Sequence, residues 1–220
     1  MTKIVDNSKE KMADVLNEEL SEISEVAIAS AYFNVHGFGS INKGLADKPL
    51  LFLLGREPTE SIKWEEEVLR ELEEKEDDMS YFLLLQDAIR YFEDPKREIK
   101  VLGGQFFHGK AYIGANPGLK DVRTGFGAVG SSNFTYGGLV SNRELNMLDT
   151  DRESLKELIV WFFDQWNNPN SADFKEAFLS FLKNYTTTMS PYEVVAKALY
   201  EYYKSSIEVT LSYSLPLTNM

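Results

Sequence analysis

Residues 26–35, VAIASAYFNV, and 49–55, PLLFLLG, are short and almost wholly apolar. A strand with one face in water alternates apolar and polar residues, so a short run that stays apolar reads as a strand buried inside a sheet. Such a sheet needs helices over it. The spacing of Met12, Leu16, Leu20 and Ile23 predicts a helix over 9–24, and SYFLLLQDAIRYFED (80–94) predicts another, stopped by Pro95. WEEEVLRELEEKEDD (64–78) reads as a solvated surface helix. Then the pattern changes. REIKVLGGQ, FFHGKAYIG, FGAVGSSNFT and ELNMLDT are four strand-like runs separated by Gly, Pro and Asn. Helices return over 152–166, behind Asp149 and Asp151 as caps, over 172–185, and from the SPYE capping box at 190–193 to about Tyr203. This order predicts an α/β fold, a mixed β-sheet flanked by helices, with a core over 1–150 and a C-terminal helical extension over 151–220.

The chain has 220 residues, 43% of them hydrophobic, enough for one substantial core. It has no cysteine, which excludes disulfides and thiolate metal sites and fits a reducing compartment. The N-terminal stretch is charged and amphipathic, unlike a signal peptide, and LIVWFF (158–163) is far too short to span a bilayer. A cytoplasmic protein without a membrane partner is expected. The net charge of −12 argues against a nucleic-acid binder. The charge is uneven, however: from Lys96 to Arg143 seven basic residues face two acids, Glu98 and Asp121. A locally positive site on an acidic body remains compatible with an anionic substrate.

That basic stretch holds His108, one of two histidines, and Lys110 two residues on. Residues two apart on a strand face the same way, so His108, Lys110 and Tyr112 share a face, as do Ser131 and Asn133. If the two strands are neighbours, the four polar groups converge. They offer a nucleophile or proton carrier, a fixed positive charge and neutral donors, which is what phosphoryl chemistry without a metal requires. Glu144, eleven residues past Asn133, is placed to hold the imidazole in one tautomer. Ser132 is expected to pack locally, His36 to lie in a loop after the first strand, and Lys120, Arg123 and Arg143 to contact substrate phosphate.

His108-Gly109-Lys110, then Gly130-Ser131-Ser132-Asn133, then Glu144, resembles the HxK…GSxN signature of the phospholipase D superfamily. The resemblance spans roughly residues 20–165 and is tightest over 101–148. It implies a site built from two such motifs, with no cofactor or metal. One histidine attacks phosphorus and forms a phosphohistidine, and the other protonates the leaving oxygen and then activates water. Lysines and asparagines hold the non-bridging oxygens. This chain has one motif, so the resemblance implies a homodimer. The family's fuller pattern has an aspartate five residues after the lysine, where this chain has Ala115.

The family includes lipases, lipid synthases, nucleases and restriction enzymes. No lipid-facing feature is visible, so DNA is the expected substrate and a DNA endonuclease the expected activity. SPYEVVAKALYEYYKSS and the following YSLPLTNM are similar to a segment that joins phospholipase D-like modules to helicase motors in some prokaryotic proteins. No Walker motif is present in these 220 residues, so a linked helicase domain would lie beyond them. The alternative, suggested by Ala115 and the overall acidity, is a catalytically silent DNA-binding or dimerisation module.

Overall fold

The computed structural model describes residues 2–55, 68, 79–186 and 199. In these, eight strands form one sheet in the order β1-β7-β6-β5-β2-β3-β4-β8. The strands are β1 Thr2–Asp6, β2 Glu25–Ser30, β3 Leu50–Gly55, β4 Arg97–Leu102, β5 Ala111–Asn116, β6 Thr124–Gly130, β7 Leu145–Asp149 and β8 Ser171–Asp173. The helices are α1 Met12–Leu20, α2 Val35–Leu45, α3 Met79–Glu93, α4 Arg152–Trp166 and α5 Lys175–Thr186.

β2, β3 and β4 are parallel, and parallel neighbours need crossovers. α2 lies between β2 and β3 in the chain, and α3 between β3 and β4. β5 returns antiparallel to β2, and β6 and β7 follow as an antiparallel meander. The fold is therefore α/β, a mixed sheet flanked by helices.

Both faces of the sheet are covered, which explains the unbroken apolar runs. Val26 and Ile28 of β2 join the larger core, with α1, α2, α3 and α5. Ala27 and Ala29, pointing the other way, join a smaller core with Leu155, Ile159, Phe162 and Trp166 of α4. Small side chains on that face let α4 approach closely. Five phenylalanines knit the larger core: Phe33 lies 5.2 Å from Phe178, 5.3 Å from Phe134 and 5.8 Å from Phe52 and Phe92, measured between ring centroids. Beyond residue 150, where the sequence reading places a boundary, 152–186 supply α4 to the smaller core and Phe178, Leu179 and Leu182 to the larger.

Several local expectations change. The first apolar strand ends at Ser30, and the chain turns into α2 at Val35. Three glycines hide that helix from propensity. Its start is set by Asn34, whose side chain accepts a hydrogen bond from Gly37 N. β1 was not anticipated, because an edge strand with one covered neighbour carries little hydrophobic signal; nor was the three-residue β8. Asp151 caps α4 as expected, accepting from the backbone N–H groups of Glu153 and Ser154. The helices expected over 64–78 and 190–203 lie outside the described residues, apart from single positions. Among the described residues no helix is long and apolar enough to cross a membrane.

Phe92 is fully buried among Phe33, Phe38, Phe52 and Phe178. Phe92→Ala is expected to lower unfolding free energy by about 3–5 kcal/mol, measured by urea denaturation.

Candidate active site

The strand directions bring one set of ends to one rim. β2 and β5 are antiparallel, as are β5 and β6, and β6 and β7. The C-terminal ends of β2, β3, β4 and β6 therefore meet the N-terminal ends of β5 and β7. His108 and Lys110 lead into β5, Ser131 and Asn133 leave β6, and Glu144 precedes β7. The sequence reading puts these residues on strands; they lie just beyond the strand ends. The difference has a physical sense, because a side chain inside this doubly covered sheet would be committed to a core, whereas one at the rim is free to meet a ligand.

His108 is exposed and Lys110 is 7% exposed. Lys110 Nζ stands 2.9 Å from His108 Nδ1 and 2.8 Å from Nε2, and donates to the His108 carbonyl at 3.0 Å. An ammonium equally close to both ring nitrogens must sit over the ring face, since in the ring plane it would overlap Cε1. Burial, with the Lys110 charge second, holds the His108 pKa below the ordinary 6.5. Burial also lowers the Lys110 pKa, while the charge of Glu144 pulls the other way. Among the described residues no hydrogen bond joins Glu144 to His108. The expected tautomer-fixing contact is thus replaced: Glu144 acts through its charge on Lys110 and on buried Tyr112, whose pKa is raised first by burial and then by Glu144.

Asn133 is half-buried, and its Oδ1 lies 3.3 Å from the hydroxyl of Ser30, the last residue of β2. That hydroxyl donates to the Tyr32 carbonyl at 2.7 Å and accepts from Phe134 N at 2.8 Å. Ser30 is fully buried and holds the Asn133 turn against the central strand, a role that sequence reasoning missed. A Cβ at Gly138 would lie 2.4 Å from Asn133 O and 2.6 Å from its N, so only glycine lets the π-turn Gly137–Ser141 close on Asn133. Ser131 turns toward β7: its hydroxyl accepts from Leu145 N at 3.1 Å. Ser132 packs locally, as expected, accepting from Asn146 Nδ2 at 2.8 Å, and its carbonyl accepts from the Tyr112 hydroxyl at 3.2 Å.

Arg143 is exposed on the same rim, next to Glu144. Lys120 and Arg123 are not on it. Lys120 lies within the 3-10 turn Leu119–Asp121 beyond the far end of β5, and Arg123, two residues past the turn, faces Asp121 at 3.5 Å. The strand itself carries them away from His108. His36 lies in the first turn of α2 rather than in a loop, with ring centroids 4.9 Å from Tyr81 and 6.0 Å from Tyr136. Phe106 was also missed: it is 41% exposed, and its ring centroid is 5.2 Å from that of His108. The period-two rule that groups 108 with 110 would have included it. Among the described residues no three His, Asp or Glu side chains gather as a metal-holding group.

The family model described as cardiolipin synthase, PLD-like domain, matches residues 69–166, which contain the whole histidine–lysine–asparagine rim. Over these residues the chain is similar to the phospholipase D superfamily. No curated protein sequence matches it. In fold it is similar to NucT from Helicobacter pylori, at 14% identity and a TM-score of 0.53, over 79% of this chain and 99% of that one. A looser likeness joins it to Nuc of Salmonella typhimurium, a phospholipase D family member, at 11% identity and a TM-score of 0.48, over 79% and 97% of the two chains. The departure from the family pattern at Ala115 falls far from the rim: that residue is fully buried in the smaller core, near the end of β5 and five residues from Lys110, roughly 16 Å of strand.

His108 should titrate below 6.5 by NMR, assigned through the His108→Ala spectrum. Lys110→Met removes the second cause and leaves burial, so the midpoint should rise only part of the way back. A midpoint above 6.5 in the unaltered protein would contradict this electrostatic account.

Proposed function

We propose that this chain is a metal-independent phosphodiesterase, a DNA endonuclease, that works through a phosphohistidine in a site shared by two copies. The observation that carries the reading is the pairing of an exposed His108 held toward its neutral form with a buried Lys110 on the rim that also bears Asn133. A neutral ring nitrogen has the lone pair to attack phosphorus. The new N–P bond forms as the P–O bond to the leaving group breaks. His108 of a second copy gives its proton to that oxygen, then takes one from the water that cleaves the N–P bond, which frees the first histidine. Lys110 and Asn133 of both copies hold the non-bridging oxygens, where negative charge grows in the transition state.

Two copies are invoked because the chain has one histidine–lysine pair of this kind; its other histidine, His36, lies in the first turn of α2 against Tyr81 and Tyr136. Ser131 and Arg143 are assigned supporting parts: Ser131 sets the β6–β7 register beside Asn133, and Arg143 offers a charge to a neighbouring phosphate. DNA is preferred over lipid because the sequence carries no lipid anchor or apolar loop that would face a membrane. The similarity of the stretch from residue 190 to a helicase-linked segment fits the same setting. The silent-module alternative leans on Ala115, whose side chain is buried away from the rim.

Phosphodiesterase activity in excess EDTA tests the reading, on a bis-aryl phosphate and on supercoiled plasmid. Wild type is expected to cleave both, and His108→Ala to lose ~10⁴-fold or more in kcat. Absence of cleavage by wild type, or cleavage surviving in the variant, would sink it. Light scattering tests the shared site: an active protein that is strictly monomeric rules it out.

Ser30→Ala should weaken the same activity without touching substrate. It leaves Phe134 N without its acceptor and Asn133 without its neighbour, at a cost of about 1–3 kcal/mol in stability. Thermal denaturation and kcat measured on one sample check both effects.

A further inference from the structure

Beside His108 the rim opens into a cleft of 410 Å³ whose lining includes Gln105, Phe106, Gln165, Asn168 and Asn170 and no charged side chain. We infer that this cleft is a subsite for an unpaired nucleobase of the strand whose phosphodiester lies against His108 and Lys110. The inference rests on the nuclease reading and names the form of its substrate.

The lining chemistry points to the ligand. A phosphate or carboxylate would call for a positive charge, and the lining has none; the charge is next door, on Lys110. Side-chain amides each carry both a donor and an acceptor, the pattern that matches the edge of a base. The amides of Gln105, Gln165 and Asn170 have no hydrogen-bond partner among the described residues, so they are available to a ligand. Phe106 supplies an aromatic face. Its exposed ring both lines the cleft and stands 5.2 Å from the His108 imidazole, so it joins the two halves of the site. Base on aromatic is the sequence-tolerant stacking by which single strands are held.

The cleft is also built rather than loose. Asn168 Oδ1 accepts from Asn170 N at 2.9 Å, and Gly103 N donates to Asn170 O at 3.0 Å. Gly104 has φ +89, a left-handed conformation that favours glycine, and a Cβ there would come 3.1 Å from Asn170 Nδ2. β8 pairs with β4 directly beneath. A base stacked inside a duplex cannot enter such a cleft, so the substrate strand is single or locally opened.

The test compares a fluorescent single-stranded DNA oligomer with an abasic oligomer of the same length. Binding is read by anisotropy on the His108→Ala protein, which blocks cleavage; cleavage of both oligomers is read on wild type. The base-bearing oligomer should bind about tenfold tighter. Adding Phe106→Ala or Gln165→Ala should bring that ratio toward one, and Phe106→Trp should keep it. Equal binding of the two oligomers, or a ratio untouched by Phe106→Ala and Gln165→Ala, overturns the subsite. Cleavage with no base preference would sink the subsite and leave the nuclease reading; a Phe106-dependent base preference without cleavage would support the subsite and sink the nuclease reading.

Discussion

The antiparallel pairing of β2 with β5 is the interaction on which the rest depends. It joins the parallel β2–β3–β4 set to the antiparallel β5–β6–β7 meander through the register Glu25↔Ala115 to Ala29↔Ala111. Because the two strands run in opposite directions, the end of one meets the start of the other. That places Ser30 beside the chain that carries Lys110 and Asn133. Just past the ladder the tie continues: Phe33 bridges Phe134, Ser30 accepts from Phe134 N, and Asn34 accepts from Tyr136 N. These buried polar groups are satisfied by one another, which makes the arrangement specific, since a partner lost there leaves a donor stranded.

Electrostatics at the rim follows from burial more than from charge number. Seven basic residues between 96 and 143 suggest a positive patch. The fold spreads them out. Lys96 precedes the start of β4, at the end of the sheet away from the rim; Arg97, at that start, is spent on Asp94, the Ala46 carbonyl and the Tyr91 ring; Lys100 bonds the Trp166 carbonyl; Lys120 and Arg123 sit beyond the far end of β5. Lys110 and Arg143 are what remain at the rim. One ammonium with little water around it acts on a neighbouring phosphate or imidazole more strongly than several solvated ones. The chain as a whole is acidic, at −12, and the rim keeps a local positive charge.

Much of the fold was legible. Short apolar runs marked β2 and β3, and period and caps marked α1, α3 and α4 closely. α2 was not, because its glycines oppose a helix and its stability comes from packing against the neighbouring layer. β1 and β8 were not, because edge strands need little hydrophobic pattern. In the site, His108, Lys110, Asn133 and Glu144 were legible as types at a spacing. Ser30 was not, since it acts from 103 residues away in the chain. Phe106 carried a usable signal in its period-two relation to His108. Lys120 and Arg123 looked like neighbours in sequence and are separated by the length of a strand.

By itself the sequence determined the layer architecture, since apolar runs without alternation can be satisfied only by cover on both faces, and it determined the reactive groups, since their identities are chemistry. Tertiary structure alone decided which of those groups meet. Strand direction and register set distances that spacing cannot express: they bring Ser30 to Asn133, put the Glu144 charge within reach of Lys110, carry Lys120 and Arg123 off the rim, and open an amide-lined cleft where β4, β8 and α4 meet. The reason is that a side chain's pKa and reach depend on what is packed around it, and packing is a property of the whole sheet.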